Sequence, residues 1–180
     1  MDNFPLLPVE EEGRLLDATV RESFVERIFT FMRWSDALAA KMTPEALARF
    51  HAEHELTLRV RSPVVFGRMK RLVSKAKPRN VERAANAYGK ALMETMQLPV
   101  TRRRHAQTLR RLSDRIKSSL PGDERRALDS LISGFREGTV PLSAPRALLS
   151  DHARTIGDSW LLSQKYLNPF PQELLDGPNA

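Results

Sequence analysis

The stretch TRRRHAQTLRRLSDRIK occupies residues 101–117 and contains the clearest helical pattern in the chain. Leu109, Leu112 and Ile116 recur at the spacing of one face of an α-helix. The basic residues fall on the opposite side, within an arc of about 160°. They are Arg103, Arg104, Arg110, Arg111, Arg115 and Lys117, which we call the cationic strip. The pattern predicts a helix that buries one face in a core and presents the other face to an anion.

The rest of the chain also predicts consecutive helices. Thr19 and Glu22 match a capping box, which predicts a first helix over residues 19–41. Thr43, followed by proline, predicts the start of a second helix that continues through Leu58. Further helix starts are predicted at Ser62, Asn80, Thr101 and Pro121, with shorter helices after Pro145 and Asp158, and Gly138 suits a C-terminal cap. We therefore predict an all-α fold, a single compact domain of about six to eight helices over residues 18–180, preceded by an acidic leader over residues 1–17.

The composition is that of a globular protein, since 41% of the 180 residues are apolar and 28% are charged. No apolar run approaches the roughly 20 residues that cross a bilayer, and the first residues lack the basic start of an export signal. We therefore expect a cytoplasmic protein with no membrane partner. The sequence contains no cysteine, which excludes disulfides, thiolate metal sites and cysteine nucleophiles within this chain.

The net charge of +7 is unevenly distributed. Residues 59–117 carry a net charge of +14, whereas residues 1–58 carry −5 and residues 118–180 carry −2. The middle third therefore suits a polyanion, and a nucleic acid is favoured over an acidic protein or a solvated basic face. Phe66 and Tyr88 are the few aromatic residues in this part, so we expect recognition of a structured nucleic acid by backbone and shape. The other candidate binding residues are Arg102, which lies off the cationic strip where it can cap or pair internally, and Lys70, Arg71 and Lys75 near the third predicted helix.

Histidines are the remaining candidates for a chemical site. His51 and His54 lie three residues apart beside Glu53 and Glu55, but a metal site would need further ligands. His105 lies on the apolar side of the 101–117 helix. No nucleophile–base pair, phosphate-binding glycine loop or spaced pair of catalytic carboxylates is apparent. We therefore predict no catalytic residue, no metal site and no cofactor.

Four blocks occur in order along the chain. They contain Phe50, His51, His54 and Leu56 with Arg61, Ser62 and Pro63; then Thr101, Arg102, Arg103, Arg104 and His105; then Arg136, Gly138, Val140, Pro141, Leu142, Pro145, Leu148 and Leu149; and last Gln164, Tyr166, Leu167, Asn168, Pro169, Pro171, Glu173 and Leu174. Together these blocks resemble the motifs of the YbgA-like domain family, a domain of unknown function. The resemblance extends over residues 20–175.

The resemblance implies a helical domain that holds RNA. In two-domain relatives, such a domain follows a thiouracil-desulfidase-type domain that carries cysteines and an iron–sulfur cluster, and residues 7–15 here look like the joint between the two. Fused proteins of this kind are associated with removal of sulfur from 4-thiouridine in transfer RNA. The resemblance therefore implies that this chain, as a solo protein or an excised domain, binds structured RNA, transfer RNA in particular. A separate or fused desulfidase would supply the reaction.

The chain departs from the family pattern at several positions, namely Glu55, Arg61, Gln107, Arg111 and Phe170. The changes at Arg61, Arg111 and Phe170 replace histidines of the family pattern, two of them by arginines, which favours binding by charge over acid–base or metal chemistry. Two other functions stay open. One is a protein–protein adaptor, in which the cationic strip docks on an acidic surface such as a separately encoded desulfidase or the leader of a second copy. A related hypothesis is that residues 10–12 shield the cationic strip in cis. The other is a stand-alone enzyme in which His51, His54 and His105 converge.

Overall fold

The computed structural model describes residues 6–174, and these residues form helices and turns without a strand. The prediction of an all-α fold is confirmed. The described chain divides into two compact units. Unit 1 comprises residues 6–98 with residues 169–174, and unit 2 comprises Pro99–Asn168.

Unit 1 contains five α-helices. They are α1 (Ala18–Ala39), α2 (Pro44–Glu53), α3 (Glu55–Arg61), α4 (Pro63–Ser74) and α5 (Val81–Met96), with a 3₁₀ turn before α1 at Glu12–Leu16. The helix starts predicted at Thr43 and Ser62 are confirmed, since the Thr43 hydroxyl accepts the Ala46 amide and the Ser62 hydroxyl accepts the Val65 amide. A proline follows each cap at the first helical position, where its missing amide proton costs nothing.

The predicted capping box at the start of α1 is wrong. Asp17 caps the helix instead, and its carboxylate accepts the amides of Thr19 at 2.7 Å and Val20 at 3.1 Å. A carboxylate satisfies these amides and also carries a full negative charge toward the positive end of the helix dipole. The helix therefore begins at Ala18 and ends at Ala39, earlier than predicted at both ends.

The predicted second helix is in fact two helices. α2 ends and α3 begins at His54, whose backbone lies at φ −102° and ψ 10°. The His54 ring stacks on Phe50 with ring centres 4.0 Å apart, and its Nδ1 lies 2.8 Å from the Phe50 carbonyl oxygen. Because a carbonyl oxygen only accepts, this contact places the imidazole proton on Nδ1. The side chain thus binds the carbonyl of the preceding turn at the point where the helix is interrupted.

The core of unit 1 is built around three aromatic rings. Trp34 of α1 packs edge-on against Phe50 at 5.0 Å and lies 5.2 Å from Tyr88 of α5. A buried ion pair joins Arg61 of α3 to Glu26 of α1 at 3.1 Å. These contacts tie α1, α2, α3 and α5 together.

Residues 169–174 complete unit 1. Phe170 is buried and its ring centre lies 6.2 Å from that of Phe29 on α1. The Arg33 guanidinium donates a hydrogen bond to the Pro169 carbonyl. The segment after Asn168 is therefore part of the same compact unit as α1.

Unit 2 contains four helices. They are α6 (Arg102–Ile116), α7 (Gly122–Glu137), α8 (Ser143–Ile156) and α9 (Ser159–Ser163). α6 packs against α7 and α8, and the helix starts predicted after Thr101 and Asp158 are confirmed by caps to Arg104 and Leu161. Gly138 ends α7 in the left-handed region at φ 88°, as its predicted C-cap role requires.

Gly89 marks the closest approach of α5 to Trp34. A Cβ at position 89 would lie 2.5 Å from the Trp34 Nε1 atom, whereas a Cβ at Gly67 in α4 would meet no atom within 4 Å. We expect Gly89→Ala to lower the free energy of unfolding by about 1–3 kcal/mol through overpacking. Gly67→Ala, the matched control, should raise it by about 0.5–1 kcal/mol through helix propensity. Urea unfolding measures both changes, and similar stability of the two variants would contradict the close contact.

Candidate nucleic-acid interface

The two faces of α6 lie where the sequence predicts them. Leu109, Leu112 and Ile116 are 0%, 4% and 2% exposed. Every member of the cationic strip is exposed. The Thr101 hydroxyl accepts the Arg104 amide, which fixes the start of the helix. The burial of one face therefore directs the arginines to the surface of unit 2.

Three arginines of the cationic strip have charges that no carboxylate of the described residues balances. Arg103, Arg110 and Arg111 are exposed, and none forms an ion pair with a carboxylate of the described residues. Arg103 and Arg110 lie two turns apart on nearly the same side of α6, separated by about 10 Å along the axis. One strand of a nucleic-acid duplex presents about three phosphates over that length. The spacing is therefore compatible with contacts to one phosphate backbone.

The other end of the cationic strip is partly neutralised. The Arg115 Nε atom lies 3.0 Å from an Asp158 carboxylate oxygen, and its guanidinium carbon lies 4.8 Å from the centre of the Trp160 ring. Lys117 lies just beyond α6, with its Nζ atom 3.6 Å from Asp114. Asp158 lies in a different part of unit 2, so the pattern of α6 alone does not predict its pairing with Arg115.

Asp158 is held in its ionised form. Partial burial alone would raise its pKa, but the Leu161 amide and the Arg115 guanidinium bind the carboxylate and lower the pKa below its usual value. The same residue therefore caps α9 and fixes Arg115.

Arg102 lies apart from the cationic strip, as predicted. Its guanidinium lies against Gly138, the C-cap residue of α7. This contact places its charge at the negative end of a helix dipole. Arg102 is therefore engaged within unit 2.

The second basic group belongs to unit 1. Lys70 and Arg71 are exposed on α4, and Lys75 is the exposed C-cap residue of that helix. Within the described chain, no carboxylate pairs with any of these three side chains. Unit 1 thus carries its own exposed positive charge.

Each histidine of the enzyme hypothesis has a partner in its own unit. In unit 1, His51 Nδ1 lies 3.2 Å from the Tyr88 hydroxyl and the His51 ring stacks on Phe66. In unit 2, His105 Nδ1 lies 3.0 Å from the Tyr166 hydroxyl. Among residues 6–174, no group of three or more potential ligands is arranged to hold a metal ion.

Most other family-motif positions hold the fold together. Arg61 pairs with buried Glu26, Ser62 caps α4 and Pro63 begins it. Tyr166 is fully buried, and the Asn168 side chain donates to the Ser150 hydroxyl. The Pro169 carbonyl accepts from Arg33, whereas Arg136 is exposed beside Glu137.

Not every acidic side chain of the leader is free to shield the cationic strip in cis. Glu10 binds Arg14 at 2.6 Å through one oxygen and Arg27 at 2.8 Å through the other. Its charge is therefore neutralised within unit 1, which leaves Glu11 and Glu12 as the exposed acidic residues of that hypothesis.

Sequence reasoning missed Trp160. Phe66 and Tyr88, the aromatic residues noted near the basic segments, are buried in unit 1. Trp160 is partly exposed and reaches the cationic strip only because α9 folds back toward the end of α6. No local pattern links positions so far apart in the chain, although the cap at Asp158 did predict the helix that carries Trp160.

Every helix in the described part of the chain is too short or too polar to traverse a lipid bilayer.

Comparison with known proteins gives the following matches. Residues 56–171 match a family described as a protein of unknown function (DUF1722). The uncharacterized protein YbgA of Escherichia coli (strain K12) is 23% identical over 152 residues, which cover 84% of this chain and 90% of that protein. No solved structure matches the chain. The predicted resemblance to YbgA-like domains is confirmed, and the matched range includes the whole cationic strip, whereas His51 and His54 precede it.

His51 makes the stability of unit 1 depend on pH. Burial, together with the positive charges of Lys70 and Arg59, lowers the pKa of His51 from 6.5 to about 4. Between pH 6.5 and 4, His51 is protonated in the unfolded chain but stays neutral in the folded chain. The free energy of unfolding therefore falls as the pH drops through this range. Replacement by glutamine removes this linkage.

We expect the unfolding free energy of the wild type to fall by about 2–3 kcal/mol more than that of His51→Gln between about pH 7.5 and pH 4.5. Urea unfolding at several pH values measures this difference. Parallel pH dependence of the two proteins would show that His51 titrates normally in the folded state.

Proposed function

Because the chain belongs to the family of proteins of unknown function DUF1722, its function must be argued from its own residues, and we propose that it binds structured RNA. One observation carries the proposal. Arg103, Arg110 and Arg111 are exposed without a carboxylate partner among the described residues, on a helix whose opposite face is buried. These three arginines are therefore rigidly mounted and have no counter-charge among the described residues.

The chemistry of these side chains favours a phosphate backbone. Each guanidinium presents several donors in a planar fork that matches two phosphate oxygens. Arg110 and Arg111 are neighbouring like charges, and a bound anion relieves the Coulomb repulsion between them. A polyanion relieves that repulsion along the whole helix, which supports a nucleic acid as the ligand.

The RNA class and the partner reaction rest on the resemblance to YbgA-like domains. We infer transfer RNA as the structured RNA and a thiouridine desulfidase, separate or fused, as the protein that supplies the reaction. The absence of cysteine from the sequence is consistent with this division, because desulfidation at a protein thiol requires a second polypeptide domain. In this proposal the domain contributes binding and no catalytic group.

A matched pair of charge reversals tests the site. Arg110→Glu with Arg111→Glu should weaken binding of transfer RNA at least tenfold, because two phosphate contacts become repulsive. The slope of log K against log salt should shrink by about 2. Fluorescence anisotropy of labelled transfer RNA over a salt series measures both effects.

Arg125→Glu with Arg126→Glu is the control. This adjacent pair is also exposed in unit 2, but it follows Asp123 and Glu124 in the first turn of α7, so its charge is locally balanced. The control should bind within about twofold of the wild type, since it changes the net charge equally without touching the cationic strip. Equal loss in both variants would reduce the effect to net charge, and unchanged binding by Arg110→Glu with Arg111→Glu would remove the cationic strip as the interface. Competition by polyglutamate as effective as that by RNA would favour an acidic protein partner.

A further inference from the structure

Arg115 differs from the other arginines of the cationic strip. Its Nε atom donates to Asp158 at 3.0 Å, and its guanidinium lies over the Trp160 ring, yet the side chain is 51% exposed. The carboxylate already balances its charge, so it gains less than a free arginine by binding a phosphate. The same two contacts hold the guanidinium in place, so little side-chain entropy is lost when a ligand packs against it.

The fold also fixes Asp158 and Trp160, the two residues that hold Arg115. Asp158 is 15% exposed and accepts the Leu161 amide at 3.0 Å as the N-cap of α9. Trp160 is the second residue of α9 and stays partly exposed, whereas Trp34 is 1% exposed in the core of unit 1. A large aromatic ring is thus kept at the surface of unit 2, beside the end of the cationic strip.

We propose that Arg115 and Trp160 form a stacking site for one unpaired base of a bound RNA. The inference rests on the proposed RNA-binding function and specifies which feature of the RNA is recognised. Unpaired bases stack on aromatic rings and on guanidinium planes, and both surfaces meet here. The sequence-based expectation of recognition by backbone and shape alone followed from the local scarcity of aromatic residues, and Trp160 removes that reason.

The position of the site along α6 supports a base more than a second phosphate. Arg111 precedes Arg115 by one turn, and residues at this spacing are neighbours about 5–6 Å apart on a helix surface. A phosphate held by Arg111 therefore places the attached nucleotide within reach of Arg115 and Trp160. A fully paired duplex offers no free base to this site, so loops, bulges and single-stranded ends are the expected ligands.

Tryptophan fluorescence and affinity together test the proposal. The chain contains two tryptophans, and because Trp34 is buried, quenching by RNA reports on Trp160. An RNA hairpin with an unpaired loop should quench this emission, whereas a blunt duplex of equal charge should not. Trp160→Leu should weaken anisotropy-measured binding of the hairpin about tenfold or more, while leaving the affinity for the duplex and the salt slope unchanged. Trp160→Phe should retain most of the hairpin affinity, because the phenyl ring still stacks.

The outcomes separate this inference from the function on which it rests. If Arg110→Glu with Arg111→Glu abolishes binding but Trp160→Leu binds the hairpin like the wild type, the stacking site is refuted and the RNA-binding proposal stands. If the wild type binds neither RNA, the proposed function fails and the inference fails with it. Equal loss of hairpin and duplex by Trp160→Leu, with a lowered unfolding temperature, would show that Trp160 only supports α9. The phenylalanine variant keeps the test decisive if the leucine variant is unstable.

Discussion

Burial of the apolar face of α6 is the constraint on which the surface of unit 2 depends. Leu109 and Ile116 are almost completely buried where α6 packs on α7 and α8. Full burial of an aliphatic side chain contributes about 1.5–3 kcal/mol, whereas a like-charge pair one helical turn apart costs only about 0.2–0.5 kcal/mol. Packing therefore decides how α6 is rotated, and the arginines must share the opposite face despite their repulsion. The charge density of that face is a consequence of the core, and only an external anion can relieve it fully.

Much of the fold follows from local sequence because helix caps and apolar spacing act over a few residues. The starts at Thr43, Ser62 and Thr101 are of this kind, since each hydroxyl accepts an amide within its own first turn. Two local predictions failed where a competing interaction won. Asp17 outcompetes Thr19 because a charged acceptor stabilises the helix terminus more strongly, and His54 interrupts a helix through a ring contact that apolar periodicity does not encode.

The candidate site could be predicted only as far as a single helix determines it. Exposure of Arg110 and Arg111 follows from the pattern of α6 itself, but the pairing of Arg115 with Asp158 depends on the return of a distant segment. The family-motif positions also separate residues that support the fold from residues that are free to bind a ligand. Ser62 and Asn168 match the family motifs, yet their contacts lie within the packed units. Sequence similarity at such positions therefore indicates a shared fold, and functional residues have to be sought among the exposed side chains.

In the proposed function, free and anchored arginines on one helix make two separable contributions to recognition. Arg111 has no carboxylate partner among residues 6–174, so its attraction to an anion is long-ranged and screened by salt. Arg115, one turn later, is held by Asp158, whose carboxylate is charged at neutral pH. Its interaction with a ligand is then governed by contact and shape, because the net charge of the pair is close to zero. The proposal thereby assigns affinity for a polyanion and preference for one kind of RNA structure to different residues, so we expect substitutions to change either property without loss of the other.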